Sequence, residues 1–375
     1  MIGRLFLLLL SLASMATPAA AHKASDSYLA LSVRENTLDG QWDVALRDLE
    51  QAIGLDANGD GAIDWGELKA REAEIAGYAL GRLHLATEGG LCVPEPTGLL
   101  FDRHSDGGYA VLRFAASCPE PPRELALTYA LLFDLDPLHR GLLRVSEGGH
   151  THTAVLSPQA STFRLSVGQA PELVAQILSY GWQGVWHIWI GLDHILFLVS
   201  LLLPAVMRWQ DGRWRPVGSF REASIEVLKL VTAFTLAHSV TLTLATLGIV
   251  TLPSRLVESV IAASVVLAAL NNLYPVVQRG LWIAAFGFGL VHGLGFAGAL
   301  GELGLPAGAL LPSLFAFNAG VELGQLAIVA LFLPTAFLIR RTVLYPRLVL
   351  RAGSTAIAII AWLWLVERSL DIALL

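Results

Sequence analysis

The sequence predicts a polytopic α-helical membrane bundle of six transmembrane helices, preceded by a mostly β, sandwich-like extracytoplasmic domain with a helical EF-hand insertion. Hydrophobic residues make up 54% of the 375 residues and charged residues 15%, and the mean hydropathy is +0.59, too apolar for a soluble protein of this length. The long apolar runs all lie after residue 180, whereas the first half is more polar and carries an Asp-rich loop. These observations separate the chain into an outer part and a membrane part.

Residues 1–21 have the pattern of a cleaved signal peptide. Arg4 supplies a positive start, residues 5–12 are an apolar run, and three alanines at 19–21 form a small-residue cleavage site. An uncleaved anchor is the alternative, but the apolar run is too short to span a bilayer. We therefore expect residues 22–178 to form a domain outside the cytoplasm.

The predicted outer domain alternates short apolar and polar runs between clusters of Gly, Pro and Asp, which is typical of β-strands. The runs are 27–34, 109–114, 124–133 and 161–167, and a helical insertion at about 43–80 interrupts them. Cys92 and Cys118 are the only cysteines. An oxidising compartment favours a disulfide between them, and two unpaired buried thiols are the alternative.

One loop of the insertion fits the EF-hand template at every position from 56 to 67. Its expected oxygen ligands for Ca²⁺ are side chains and one carbonyl, and Gly61 allows the sharp turn. The ligands are Asp56, Asn58, Asp60, Ala62 (carbonyl), Asp64 and Glu67. A polar surface turn that binds nothing is the alternative. A single loop in a calcium-rich compartment is more typical of a structural site than of a sensor.

The membrane part, residues 179–375, contains six apolar stretches, each long enough to cross about 30 Å of hydrocarbon. They lie at 185–206, 225–248, 254–275, 281–301, 310–338 and 348–367. Arginines concentrate in alternate loops, as the positive-inside rule requires of cytoplasmic loops. These are Arg208, Arg213, Arg215, Arg221, Arg279, Arg340, Arg341 and Arg347. The pattern predicts a multi-pass protein of the inner membrane with its N-terminal domain in the periplasm.

Ionisable residues lie inside these stretches, where each costs about 2.5–3.5 kcal/mol on insertion scales. The expected ligands of a transition metal are His187, Asp193, His194, His238, His292 and Glu322. His187 and His194 are seven residues apart and would share one helix face, while Asn318, Glu322 and Gln325 form a helical stripe. Imidazoles and carboxylates suit Ni²⁺, Co²⁺ or Zn²⁺. Packing of single histidines inside the bundle is the alternative.

Four sequence blocks resemble the HupE/UreJ family of nickel/cobalt permease-like membrane proteins. They are the H-x5-D-H pattern from His187 to His194, FTLAHSVTL around His238, FGFGLVHGLGFA around His292, and FNAGVELGQ from 317 to 325. The resemblance covers about residues 180–340 and implies metal permeation linked to nickel enzymes, with His187, Asp193 and His194 as metal contacts. Short members lack a large outer domain, so this chain resembles the long form, for which nickel is not assumed.

Three functions are compatible with the sequence. The first is a permease for a divalent transition metal ion, whose partners are the bilayer, the ion and a metalloenzyme maturation system. The second is an intramembrane zinc hydrolase, with Ser239 and Glu258 assisting. The third is a non-catalytic membrane module whose outer domain binds a partner. A transporter is favoured over an enzyme, and a net charge of −6 gives no indication of nucleic-acid binding.

Two further histidine positions are weaker candidates for metal contacts. His150 and His152 share one face of a predicted strand, where an exposed strand edge is the simpler interpretation and metal capture the alternative. His22 would become the N-terminus after cleavage and could then chelate Cu²⁺.

Overall fold

A computed structural model describes residues 26–104, 107–169, 173–295 and 307–370. The described residues begin with a mostly β domain, whose alternating burial follows the alternation of apolar and polar residues in the sequence. Its strands are β1 (Asp26–Arg34), β2 (Thr37–Ala45), β3 (Leu83–Thr87), β4 (Gly90–His104), β5 (Gly107–Ser117), β6 (Glu124–Tyr129), β7 (Arg140–Glu147), β8 (His150–Leu156) and β9 (Thr162–Ser166). The predicted signal peptide 1–21, and His22, lie outside the described residues.

The nine strands form one continuous sheet in the order β8-β7-β1-β2-β5-β4-β3-β6-β9. Neighbours are antiparallel except for β1 and β7, which are parallel. The sequence predicts a sandwich, and the observed sheet is single because the long strand β4 pairs with β3 at its start and with β5 along the rest of its length. Side chains from both ends of the sheet, such as Leu156 and Leu165, nevertheless pack into one core.

A buried polar network crosses this core. Tyr129 Oη lies 2.6 Å from Ser27 Oγ and 2.7 Å from His139 Nε2, and Trp42 Nε1 donates to Ser27. All four side chains are fully buried. Burial lowers the pKa of His139 to about 3 and raises that of Tyr129, so both are neutral in the folded domain.

The insertion between β2 and β3 is helical. It comprises α1 (Leu46–Ile53), α2 (Trp65–Ala70) and α3 (Glu72–Leu80). Helix α2 begins with a capping box, in which the Asp64 carboxylate accepts the Glu67 N–H and the Glu67 carboxylate accepts the Asp64 N–H. Elsewhere in the domain, the expected disulfide between Cys92 and Cys118 is confirmed.

The described residues of the C-terminal part form helices and one short hairpin. The helices are α4 (Leu173–Ile190), α5 (Leu192–Leu202), α6 (Phe220–Thr246), α7 (Ser254–Leu273), α8 (Leu281–His292), α9 (Ala307–Ile339) and α10 (Gly353–Leu370). Strands β10 (Met207–Gln210) and β11 (Arg213–Pro216) form the hairpin between α5 and α6. A π-helical segment, Tyr345–Ala352, leads directly into α10.

Four helical segments of the described residues are long and apolar enough to cross a membrane, and a fifth crossing results if α4 and α5 count as one span. Helices α4 and α5 meet at an angle of 72°. The fourth predicted span, 281–301, is represented by the 12 residues of α8, and its remaining residues after 295 lie outside the description. Six spans are predicted, and the described helices account for four or five.

Glycines set the closest helix contacts in the bundle. A Cβ on Gly184 of α4 would meet the Phe317 carbonyl oxygen and the Val321 nitrogen of α9, so only glycine allows this approach. Gly320 of α9 lies against Gly181 of α4, and Gly324 lies against Val185, one turn later on both helices. Helices α4 and α9 are therefore parallel.

The β domain packs on the ends of α4 and α9. Tyr180 of α4 lies 3.2 Å from the Thr153 hydroxyl of β8. Leu142 of β7 shares an apolar cluster with Tyr180 and with Leu314 of α9. Since Leu142 is on the sheet face opposite the core residue Leu143, this sheet uses both of its faces for packing.

Candidate metal centre

Four histidines from four helices converge inside the bundle. They are His187 on α4, His194 on α5, His238 on α6 and His292 at the end of α8. The ring centre of His194 lies 4.7 Å from that of His187, 6.3 Å from that of His238 and 5.2 Å from that of His292. His194, His238 and His292 are buried, and His187 is partly buried.

A break in the helix brings the first two histidines together. The sequence predicts that His187 and His194 share the face of one continuous helix, but α4 ends at Ile190 and α5 starts at Leu192. Gly191 has an extended conformation, and a Cβ there would meet the His187 carbonyl and the His194 ring. The rings therefore meet across a bend and not along a helix face.

His194 is oriented by the residue before it. The Asp193 carboxylate accepts hydrogen bonds from the backbone N–H of His194 at 2.9 Å and from its Nδ1 at 3.0 Å. A carboxylate accepts only, so Nδ1 carries the proton and Nε2 holds the free electron pair. A carboxylate behind a histidine in this way fixes its tautomer for metal binding.

His238 has an equivalent partner in Asn318 of α9. The Asn318 amide nitrogen donates to the Leu314 carbonyl at 2.8 Å, which directs its oxygen toward His238 Nδ1 at 3.2 Å. The carbonyl-type oxygen accepts the Nδ1 proton. Nε2 of His238 is therefore left with a free electron pair.

His292 is oriented by a hydroxyl of α7. Ser264 donates its proton to the Ile261 carbonyl at 2.6 Å, so its oxygen accepts from His292 Nε2 at 2.9 Å. The electron pair of His292 is then on Nδ1. Sequence reasoning missed Ser264, whose only signal is a hydroxyl in the middle of an apolar stretch.

Three ring nitrogens of this cluster lack a hydrogen-bond partner within the described part of the chain. They are the buried His194 Nε2, His238 Nε2 and His292 Nδ1. His187, His194 and His238 form the one described group of three or more His, Cys, Asp or Glu side chains whose donor atoms all lie within 4.8 Å of one another. Neutral imidazoles of this kind fit Ni²⁺, Co²⁺ or Zn²⁺.

Three of the predicted membrane ligands lie outside that group of three: His292, described above, Asp193 and Glu322. Asp193 stands behind His194, and its second oxygen, Oδ2, lies 3.9 Å from an Arg368 nitrogen. Glu322 accepts a hydrogen bond from Thr232 at 2.9 Å, nearly two helical turns from His238 along α6. The predicted stripe on α9 does face α6, since Gln325 also accepts from Thr235 at 3.1 Å. Ser239, which would assist the alternative hydrolase function, donates to the Thr235 carbonyl at 2.7 Å.

The candidate calcium loop is exposed and held by its own hydrogen bonds. The Asp56 carboxylate accepts N–H groups from Gly59 at 2.7 Å and Gly61 at 2.8 Å, and Glu67 reaches back to the Ala57 N–H at 3.0 Å. The Gly61 N–H is the largest cause of a lowered pKa at Asp56. Glu67 therefore joins the end of the loop to its start, as a chelating position requires, although the loop carboxylates are not gathered within 4.8 Å.

The two weaker histidine candidates of the outer domain differ in burial. His150 and His152 lie on β8, with His150 exposed and His152 buried. Burial lowers the pKa of His152. Their side chains do not form a metal-binding group with a third residue among those described.

One comparison identifies relatives of this chain. The sequence model of a family described as HupE / UreJ protein matches residues 164–368, which is more than half of the chain. The match includes the four histidines, Ser264, Asn318 and Arg368, and starts within β9, so most of the β domain lies outside it. No curated protein sequence matches the chain.

Proposed function

Because the chain belongs to the HupE/UreJ family, we propose that it is a membrane permease for a divalent transition metal ion such as Ni²⁺ or Co²⁺. The observation that carries this proposal is the convergence of His187, His194 and His238, whose donor atoms lie within 4.8 Å of one another. A membrane interior does not retain such groups unless they meet each other or a cation. The ion is the cargo, and we propose a metalloenzyme maturation system as its recipient.

The geometry suits transient binding. The described group offers three imidazole nitrogens, and Asp193 supports one of them from behind instead of binding the ion directly. A structural zinc site uses a closed set of four ligands, whereas a permease site must release its ion. A site with three neutral nitrogens and a supporting carboxylate meets that requirement.

We propose six membrane crossings with the β domain in the periplasm of an inner-membrane protein. Helix α9 is parallel to α4, and α8 is parallel to α6, because Gly289 approaches Phe234 and Gly293 approaches His238. In a bundle of six crossings the first and fifth spans run in the same direction, and so do the second and fourth, as these two parallel pairs do. The basic hairpin after α5 carries Arg208, Arg213 and Arg215, which favours the cytoplasmic side for it.

Metal uptake by intact cells tests the proposed function. Cells expressing the wild type should accumulate radioactive nickel or cobalt above the level of empty-vector cells, and His194→Ala should return uptake to that level. His150→Ala is the control, because this histidine is exposed on β8. Equal uptake by the wild type and His194→Ala, at equal amounts in the membrane, would overturn the proposal.

We also propose that the loop at 56–67 binds Ca²⁺ and stabilises the outer domain. At a concentration of one hundred times the dissociation constant, a ligand adds about 2.7 kcal/mol to the free energy of unfolding. Millimolar Ca²⁺ should therefore raise the melting temperature of the wild type but not of Glu67→Gln. Glu74→Gln, which removes an exposed charge on α3, should keep the calcium effect. A wild type that melts at the same temperature with Ca²⁺ and with a chelator would disprove binding.

A further inference from the structure

An arginine lies next to the carboxylate that supports the histidine cluster. Arg368 is two residues before the end of α10, and its Nη1 lies 3.9 Å from Asp193 Oδ2. Both side chains are largely shielded, with 27% of Arg368 and 21% of Asp193 exposed. The two charges therefore form an ion pair on the side of Asp193 that faces away from His194.

The arginine acts on Asp193 as a charge and not as a hydrogen-bonding fork. A distance of 3.9 Å is beyond a hydrogen bond, and the Nη1 of Arg368 instead donates to the Glu258 carbonyl at 3.4 Å. The guanidinium also lies 5.7 Å from the centre of the Trp364 ring. Helix α7 and Trp364 thus hold Arg368 in place, so its position does not depend on Asp193.

The Asp193 carboxylate therefore interacts with two groups, the His194 ring and the Arg368 guanidinium. Oδ1 accepts both hydrogen bonds from His194, and Oδ2 faces Arg368. A divalent cation on the free nitrogen of His194 would draw on the same carboxylate charge through the imidazole. It would also be repelled by the guanidinium, and at low effective dielectric that repulsion is strong.

We propose that Arg368 is a resident counter-cation that weakens binding of the transported ion and so promotes its release. This inference rests on the proposed permease function. With no ion bound, the guanidinium balances Asp193; when an ion binds, two positive groups share one carboxylate, and the ion leaves more readily. Arg368 is a positioning residue, since it touches Asp193 and not the ion.

The test is the affinity of the purified full-length protein for Ni²⁺, measured in detergent by titration calorimetry or chelator competition. Arg368→Gln should bind Ni²⁺ about tenfold more tightly than the wild type, because the positive charge on the far side of Asp193 has been removed. Arg368→Lys keeps the charge and should stay close to the wild type. Arg255→Gln is the matched control, since Arg255 is also at this end of the bundle but bonds to the Ser369 carbonyl.

The same variants separate this proposal from the permease assignment. If the wild type binds no Ni²⁺, Co²⁺ or Zn²⁺, the proposed function fails. If the wild type binds and His194→Ala does not, but Arg368→Gln binds as the wild type does or more weakly, only the role of Arg368 is overturned. In the uptake assay Arg368→Gln should be slower than the wild type at saturating nickel, because release is slowed.

The melting temperature of Arg368→Gln, with and without Ni²⁺, gives a second test. Without the arginine, Asp193 lacks its counter-charge, so Arg368→Gln should melt at a lower temperature than the wild type when no metal is present. Saturating Ni²⁺ should then raise its melting temperature more than that of the wild type. A variant that stays unfolded with Ni²⁺, while Arg368→Lys folds, would show that the arginine is purely structural and would overturn the proposal.

Discussion

In the candidate metal centre, neighbouring side chains determine which ring nitrogen of each histidine is free to bind an ion. Each of three ring N–H groups donates a hydrogen bond to a neighbouring side-chain oxygen. His194 donates to a carboxylate, His238 to an amide oxygen and His292 to a hydroxyl. Each ring then presents its other nitrogen as a Lewis base. Because these partners hold the tautomers, they should affect metal affinity without binding metal.

Replacing Asp193 tests this reasoning at a single residue. Asp193→Asn removes the negative charge that supports the His194 ring from behind, which makes its free nitrogen a weaker base toward a metal ion. Loss of such an outer partner typically lowers metal affinity about 10–100-fold. Calorimetric titration of the purified variant with Ni²⁺ measures the loss. Glu226→Gln, which breaks an exposed pair with Lys229 on α6, is the control and should bind normally.

The buried His139 makes the outer domain sensitive to acid. Its pKa is about 3 in the fold because of burial, against 6.5 for a free histidine. The unfolded chain therefore binds one more proton than the folded chain between these values, and stability falls as pH decreases from about 6.5 toward 3. The slope approaches roughly 1.4 kcal/mol per pH unit for this one group.

Thermal unfolding of the full chain, followed by tryptophan fluorescence, checks the pH effect. The fall in melting temperature between pH 7 and pH 5 should be smaller in His139→Gln than in the wild type, although the variant is less stable at pH 7. His150→Gln, at an exposed position, should retain the wild-type pH dependence. An identical pH dependence in His139→Gln would show that another group is responsible.

At the scale of elements, the pairing of α4 with α9 depends on small residues. Gly184→Ala places a methyl group against the Phe317 carbonyl and should destabilise the bundle by about 1–3 kcal/mol. Gly181→Ala is a close control, because its Cβ would be 3.6 Å from the Ala316 oxygen, an ordinary contact. The melting temperature and the monodisperse yield in detergent are the measurements. Equal stability of the two variants would contradict the packing described.

Sequence reasoning identified the histidines but not the local backbone that brings them together. Polar residues in an apolar stretch are costly, so His187, His194, His238 and His292 were visible without a structure. The bend at Gly191 was not, because glycine is compatible with both a continuous and a broken helix. Asp193 is predicted as a ligand from the H-x5-D-H pattern, and the position of its carboxylate beside Nδ1 of His194 depends on the bend.

Other features escaped prediction because they join distant parts of the chain. The parallel pairing of β1 with β7 and the contact between Arg368 and Asp193 leave no local signal in the sequence. The positions of β1, β5, β6 and β9, by contrast, follow from alternation, and the cysteine pair follows from compartment chemistry. The EF-hand template remains a sequence prediction, since calcium binding there has not been tested.

At the scale of the whole molecule, the bundle and the β domain are joined through Tyr180, Leu142 and Leu314. Their shared cluster places the domain at the end of the bundle where α4 and α9 begin. The domain and the loop between α6 and α7 should therefore lie on one side of the membrane, and the loop between α7 and α8 on the other.

Substituted cysteines test this arrangement, since the described residues contain no free cysteine. Thr251→Cys should react with a membrane-impermeant maleimide in intact spheroplasts, and Gln278→Cys should react only after the membrane is opened. The unsubstituted protein is the control for background labelling. Labelling of Gln278→Cys in intact spheroplasts would contradict the proposed orientation.

Strand β1 has a consequence for biosynthesis. Its partner on one side, β2, follows at once, but its partner on the other side, β7, is translated more than a hundred residues later, as the register of Asp26 with Arg140 shows. Until β7 emerges, a nascent chain has an open edge in what becomes the middle of its sheet, and such edges are prone to aggregation. Contacts this far apart in sequence also slow folding. We therefore expect the first hairpin to be the part of the nascent domain most prone to intermolecular strand pairing until β7 has been translated.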